Sequence, residues 1–73
     1  MATSVRAHIT GTVWKIEVAV GDEVAEGQTL VILESMKMEM PVEAPGAGVV
    51  SAILTKEGAA VEEGGVLVEI EPR

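Results

Sequence analysis

The sequence predicts an all-β fold, a sandwich or flattened β-barrel that contains about eight short strands. Apolar and polar residues alternate over short segments, which is the pattern of strands with one buried face. Glycines and a Pro-Gly pair separate these segments, and none of them shows convincing helical periodicity. The second half of the chain also repeats the first. These three observations together predict the fold class.

The repeat relates residues 5–34 to residues 42–71 without a gap, and twelve of the thirty aligned pairs are identical. Two copies are too few to stack as a solenoid. We therefore expect residues 1–73 to form a single domain, a barrel-sandwich hybrid of two four-stranded sheets. An approximate twofold axis relates the halves, and the hairpin that joins them is predicted at residues 35–39.

Each half predicts the same order of elements. In the first half, one strand is predicted over residues 11–20 and another over residues 29–35, with a turn at Gly21 between them. In the second half, the corresponding strands cover residues 48–56 and 66–71. Alternation in the last strand of each half indicates which side chains point into the core: Val31, Leu33, Val68 and Ile70.

The centre of the chain departs from ordinary turn chemistry. Met36 and Met38 alternate with Lys37 and Glu39, which favours a strand, although these residue types are also compatible with a helix. The β-rich residues just before this segment and the proline just after it favour two strands joined by a reversal at Met36-Lys37. The reversal lacks the Asn-Gly or Asp-Gly pair that two-residue hairpins prefer. Such a local conflict indicates a functional site, and it singles out Lys37.

Composition excludes several classes of function. The formal net charge is −7, with no cluster of lysines and arginines, so nucleic-acid binding is not expected. The chain has no cysteine, and the spacing of Asp22, Glu23 and Glu26 matches no calcium loop, so no metal site is predicted. No segment resembles a signal peptide or reaches the length of a membrane span. We expect a monomeric cytoplasmic protein.

The central residues carry a resemblance to a known family. The motif is Glu34-Ser35-Met36-Lys37-Met38-Glu39, at the midpoint of the repeat. With the glycine turns of both halves, this motif resembles the biotinyl domains of the biotin/lipoyl attachment family. The resemblance extends from about Val5 to Glu71 and is strongest to short free-standing bacterial biotin/lipoyl attachment proteins and to biotin carboxyl carrier protein domains.

The resemblance implies a function. In biotinyl domains, a biotin protein ligase modifies the lysine of a Met-Lys-Met tripeptide, which implies covalent biotin on Lys37. The resemblance also implies which neighbours the ligase recognises: Met36, Met38, Glu34 and Glu39. The biotin would shuttle a carboxyl group between a biotin carboxylase and a carboxyltransferase, which dock transiently, in an acyl-CoA or related carboxylase. The chain would be a carrier and a ligase substrate, not an enzyme.

Two alternatives to a biotin carrier remain open. Lipoyl domains usually place Asp before the lysine and a small residue after it, so a lipoyl carrier agrees less well with Met36 and Met38. The other alternative is an unmodified barrel-sandwich interaction module.

The sequence departs from the family pattern at two places. His8-Ile9-Thr10 stands in place of a common Pro-Met-Pro run, and Ala59 stands in place of a turn aspartate.

Overall fold

The computed structural model describes residues 2–73, and these residues form eight β-strands and no helix. The strands are short, and two of them contain only two residues. In chain order they are β1 (Thr3–Arg6), β2 (Gly11–Ile16), β3 (Glu23–Val24), β4 (Thr29–Ser35), β5 (Met38–Glu43), β6 (Gly48–Ile53), β7 (Ala60–Val61) and β8 (Val66–Pro72).

The strands form two antiparallel four-stranded sheets. One has the order β1-β8-β6-β3, and the other has the order β5-β4-β2-β7. A shift of one repeat exchanges β1 with β5, β2 with β6, β3 with β7 and β4 with β8, so that it converts each sheet into the other. The predicted all-β sandwich of two related sheets is therefore confirmed. We call the sheet that contains β4 and β5 the hairpin sheet and the other the terminal sheet.

The core lies between the two sheets of an elongated molecule that measures 35 × 17 × 17 Å. The four side chains predicted to point inward are each no more than 2% exposed, whereas Ile32 is only partly buried. Burying a side chain of this size contributes about 1.5–3 kcal/mol. The buried residues are Val5, Ala7, Val13, Val18, Val24, Leu30, Val31, Leu33, Val42, Ala44, Val50, Leu67, Val68 and Ile70.

The predicted extent of two strands is wrong. β2 ends at Ile16 and not at residue 20, and β6 ends at Ile53 and not at residue 56. After β2, the chain leaves the hairpin sheet and crosses to the terminal sheet, where the amide of Gly21 donates to the carbonyl of Val50 at 2.8 Å. Val18 is buried on this crossover, while Val20 is 62% exposed. The alternation of apolar and polar residues therefore continues in the sequence beyond the residue at which the strand ends.

The turn predicted at Gly21 is present, and the second half has an equivalent turn at Gly58. Their φ angles are +96° and +88°, in the region that residues with a Cβ rarely adopt. A Cβ at either position would meet no atom within 4 Å. Backbone conformation, and not space, therefore requires glycine at both turns.

Candidate functional site

The hairpin between β4 and β5 is a two-residue turn. Ser35 pairs with Met38, which leaves Met36 and Lys37 as the two central residues. Their φ angles are +53° and +65°, so both lie in the left-handed region, as in a type I′ turn. For residues other than glycine, this conformation costs about 1 kcal/mol or more each. The predicted reversal is confirmed, and it stores backbone strain at Lys37.

Lys37 projects from this turn with its side chain exposed. No hydrogen bond or ion pair connects its amine to another residue in the described part of the chain. Met36 is 93% exposed and Met38 is 55% exposed, whereas large apolar side chains are ordinarily covered. The tip of the hairpin therefore presents one primary amine between two flexible apolar side chains.

Glu34 and Glu39 lie directly opposite each other in the β4–β5 ladder, next to the Ser35–Met38 pair. Both side chains are exposed. Two like charges directly opposite on neighbouring strands are destabilising. The hairpin therefore carries a pair of carboxylates just below Lys37, as well as the strained turn. Met40 is different, because it pairs with Leu33 and is half-buried toward the core.

The loop between β1 and β2 ends at Gly11, the first residue of β2, beside the base of the hairpin. A Cβ on Gly11 would lie 2.6 Å from the carbonyl oxygen of Glu34, so the two segments are in close contact there. Thr10 fastens the loop, because its Oγ1 accepts a hydrogen bond of 3.2 Å from the amide of Glu63. The departure from the family pattern at His8-Ile9-Thr10 thus lies next to the candidate site. Sequence reasoning did not identify this role of Thr10.

Within residues 2–73, no group of three or more His, Cys, Asp or Glu side chains could hold a metal ion. The same residues include no helix of the length and apolarity that crossing a membrane requires. His8 is exposed in the loop between β1 and β2, and it makes no hydrogen bond to Lys37.

Comparison with known proteins identifies the family. The family described as "Biotin-requiring enzyme" matches residues 1–70. The chain belongs to this family. The biotin/lipoyl attachment protein of Bacillus subtilis (strain 168) is 45% identical over 67 residues, which are 92% of this chain and 92% of that protein. The "Biotinylated protein TB7.3 homolog" of Mycobacterium leprae (strain TN) is 43% identical over 70 residues, 96% of this chain and 99% of its own length.

A solved structure shows the same fold within a larger enzyme. The urea carboxylase of Kluyveromyces lactis matches 97% of this chain with a TM-score of 0.92 and 41% sequence identity. The match covers only 6% of that much longer chain. The comparisons confirm the resemblance stated from the sequence, and they support biotin over lipoate as the attached cofactor.

Proposed function

We propose that this chain is a biotin carrier, modified on Lys37 by a biotin protein ligase, that carries a carboxyl group in an acyl-CoA or related biotin-dependent carboxylase. The single observation that carries the proposal is the turn itself. Lys37 stands exposed at the tip of a strained two-residue hairpin, between Met36 and Met38. Relatives whose names mention biotin attachment, and a carboxylase that contains the same fold, support it.

The chain supplies access and position for the attachment reaction, not activation. A lysine amine in water is mostly protonated and is a poor nucleophile. No described side chain is hydrogen-bonded to the amine of Lys37 as a base. The ligase must therefore supply biotin as an activated adenylate. The amine of Lys37 attacks the carbonyl carbon, an amide bond forms, the bond to AMP breaks, and the amine proton passes to the ligase or to solvent.

The residues around Lys37 fit the attached group. The amide removes the positive charge of the lysine, and no described carboxylate loses an ion-pair partner as a result. The ureido ring of bound biotin supplies the nitrogen that carries the carboxyl group. The hairpin holds the base of the arm in a rigid sheet, because β4 pairs with both β5 and β2. The arm can then move while its point of attachment stays fixed.

We propose that the ligase recognises four residues around Lys37: Met36, Met38, Glu34 and Glu39. The two methionines offer adaptable apolar contacts on either side of the amine. The two glutamates offer a local negative charge that a cationic ligase surface would recognise. Met36→Asp is expected to slow biotinylation. Val20→Asp is the matched control, because Val20 is 62% exposed outside the hairpin. Equal rates for Met36→Asp and the wild type would exclude Met36 from recognition.

The carrier role also predicts weak and brief contacts with its partners. A shuttle must leave each active site quickly, so docking on biotin carboxylase and on carboxyltransferase should use small interfaces. We propose that residues 1–73 act as a single domain, as a monomer and in the cytoplasm. The net charge of −7 supports the monomeric state, because charge repulsion keeps separate copies apart.

Attachment is tested by coexpression with a biotin protein ligase. Intact mass should show one biotinyl increment on the wild type and on Lys56→Arg, which is a matched exposed control. Lys37→Arg should show none, and streptavidin blotting should agree. Biotin retained in Lys37→Arg would overturn the site. A lipoyl increment, or no increment in a well-folded wild type, would favour one of the two alternatives.

Carrier function is tested separately with fully biotinylated protein. The sample is incubated with biotin carboxylase, ATP, magnesium and labelled bicarbonate, and label is followed onto the protein. Label should appear on the wild type and be absent from Lys37→Arg. Failure of well-folded biotinylated protein to take up label from several carboxylases would refute the carrier role while leaving the attachment site intact.

A further inference from the structure

The outer faces of the two sheets differ, although their backbones are equivalent. In β2, Val13 pairs with Leu33 and Lys15 pairs with Ile32, so Trp14 is the extra residue of a bulge. Val13 is only 1% exposed and faces the core, while Trp14 is 48% exposed on the outer face. β6 has the same bulge between Val50 and Ala52, with Ser51 as its extra residue. The hairpin sheet thus exposes an indole where the terminal sheet exposes a hydroxyl.

Neighbouring residues continue this difference. Ile32 pairs with Pro41 across β4 and β5, on the same outer face as Trp14. We call these three residues the tryptophan patch. Lys15 borders the patch, and its amine forms an ion pair with the carboxylate of Glu17 at 3.6 Å. The equivalent residues on the terminal sheet are all polar: Ser51, Glu69 and Ser4. At these three pairs of equivalent positions, the apolar residues therefore lie on the outer face of the sheet that carries Lys37.

The tryptophan patch is continuous with the hairpin and lies within reach of its tip. Ile32 and Pro41 belong to the two strands that the turn connects. Lys37 lies five residues beyond Ile32, about 13–17 Å along the strand direction, and β2 is about 5 Å to the side. The lysine side chain and the pentanoyl chain of biotin together form an arm of comparable length, so the ring reaches the patch when the arm lies along the sheet. Because the arm is tethered, the ring has a high effective concentration at the patch.

The chemistry of the patch matches that of the ring. Attached biotin ends in an uncharged bicyclic ring with a thioether edge and a polar ureido edge. Trp14 offers a broad apolar face together with an N–H donor, and sulfur makes favourable contacts with aromatic rings. Trp14 is the only aromatic residue of the chain, and about half of its surface is exposed rather than used in the core.

We propose that the patch formed by Trp14, Ile32 and Pro41 is a resting site for the biotin ring carried by Lys37. The ring occupies the patch between visits to partner active sites, and it leaves when a partner binds it more tightly. This inference rests on the proposed attachment of biotin to Lys37. It adds a position for the free end of the arm.

Intrinsic fluorescence tests the proposal directly, because Trp14 is the only tryptophan. Unmodified and fully biotinylated wild-type protein are compared at the same concentration. Biotinylation should shift the emission to shorter wavelength and lower the acrylamide quenching constant. Unmodified Lys37→Gln controls for the loss of the lysine charge and should behave like unmodified wild type. Unchanged quenching on biotinylation, or the same change in Lys37→Gln, would overturn the proposal.

A second measurement locates the ring and excludes a structural cause. Biotinylation should shift the backbone amide NMR signals of Lys15 and Ile32; shifts confined to residues 35–39 would contradict the proposal. Trp14→Ser copies the equivalent residue of the other half, so it should fold, and it should speed the capture of biotin by streptavidin. Leu54→Ser removes a 55% exposed side chain outside the patch and should leave capture unchanged. Intact mass shows whether biotin is present, so failure of attachment is distinguished from failure of docking.

Discussion

The two halves of the molecule reach the same backbone with different side chains. In the first half, Asp22 accepts a hydrogen bond from the amide of Ala19 at 2.9 Å, and Gln28 accepts one from the amide of Ala25 at 3.0 Å. The residues that align with these two acceptors are Ala59 and Gly65, which have no polar side chain. The second half therefore lacks both side-chain caps.

Backbone hydrogen bonds nevertheless keep the second half in the same shape. The amide of Ala59 donates to the carbonyl of Lys56 at 3.1 Å, and the amide of Gly65 donates to that of Glu62 at 2.9 Å. Bonds of nearly the same length close the corresponding turns of the first half. An open groove of about 680 Å³ is lined by residues of both turns, among them Ala59, Glu62 and Gly65. Shared glycines and backbone bonds thus determine the repeat, while unshared side chains make the halves different.

The largest expected effect tests the close contact that both halves share. A Cβ on Gly48 would clash with the carbonyl oxygen of Glu71 and with the side chain of Ile70. Gly48→Ala should lower the free energy of unfolding by about 2–3 kcal/mol, because backbone atoms must move. Gly11→Ala should behave similarly. Urea unfolding followed by tryptophan fluorescence measures the loss. Gly46→Ala, where a Cβ meets nothing within 4 Å, should change stability by less than about 0.5 kcal/mol.

The next effect compares the two left-handed turns. Gly21→Ala and Gly58→Ala should each lower the free energy of unfolding by about 1 kcal/mol, because alanine is strained at these φ angles. Thermal and urea unfolding provide the values. The two losses should be equal within error, since the backbone geometry is nearly the same. A loss at one turn only would show that the twofold relation does not extend to energetics.

A third prediction concerns Met36, a position at which the two halves differ. Met36 aligns with Arg73, which forms an ion pair with Glu23 at 2.8 Å, whereas Met36 is 93% exposed at the strained turn. Met36→Asn should raise the free energy of unfolding by about 0.5–1 kcal/mol, because asparagine tolerates the left-handed region. Biotinylation by the ligase should become slower. A variant that is more stable and equally well biotinylated would show that methionine has no role in recognition.

The smallest expected effects exchange the caps between the halves. Ala59→Asp should raise the free energy of unfolding by about 0.5 kcal/mol, because the new carboxylate can accept from the amide of Lys56. Asp22→Ala should lower it by a similar amount. Differential scanning calorimetry of both variants and the wild type measures the pair. Destabilisation by Ala59→Asp would show that the second turn differs from the first in more than its side chains.

Local patterns in the sequence were sufficient for most of the fold and for the central site. Alternation with a period of two identified Val31, Leu33, Val68 and Ile70 as core residues, and all four are buried. The glycines marked the turns. The conflict between ordinary hairpin chemistry and Met36-Lys37 marked the turn where the structure has two positive φ angles. These properties depend on neighbours along the chain, so they can be predicted without knowing the partner strands.

By itself, the sequence determined the fold class, the repeat and the position of Lys37 at a reversal. Only the tertiary structure decided where β2 ends and that Trp14 lies on the outer face of the hairpin sheet. The physical reason is that a bulge displaces the register by one residue, and it exists only between paired strands. The face on which a side chain lies after a bulge therefore depends on the neighbouring strand, which lies far away in the sequence.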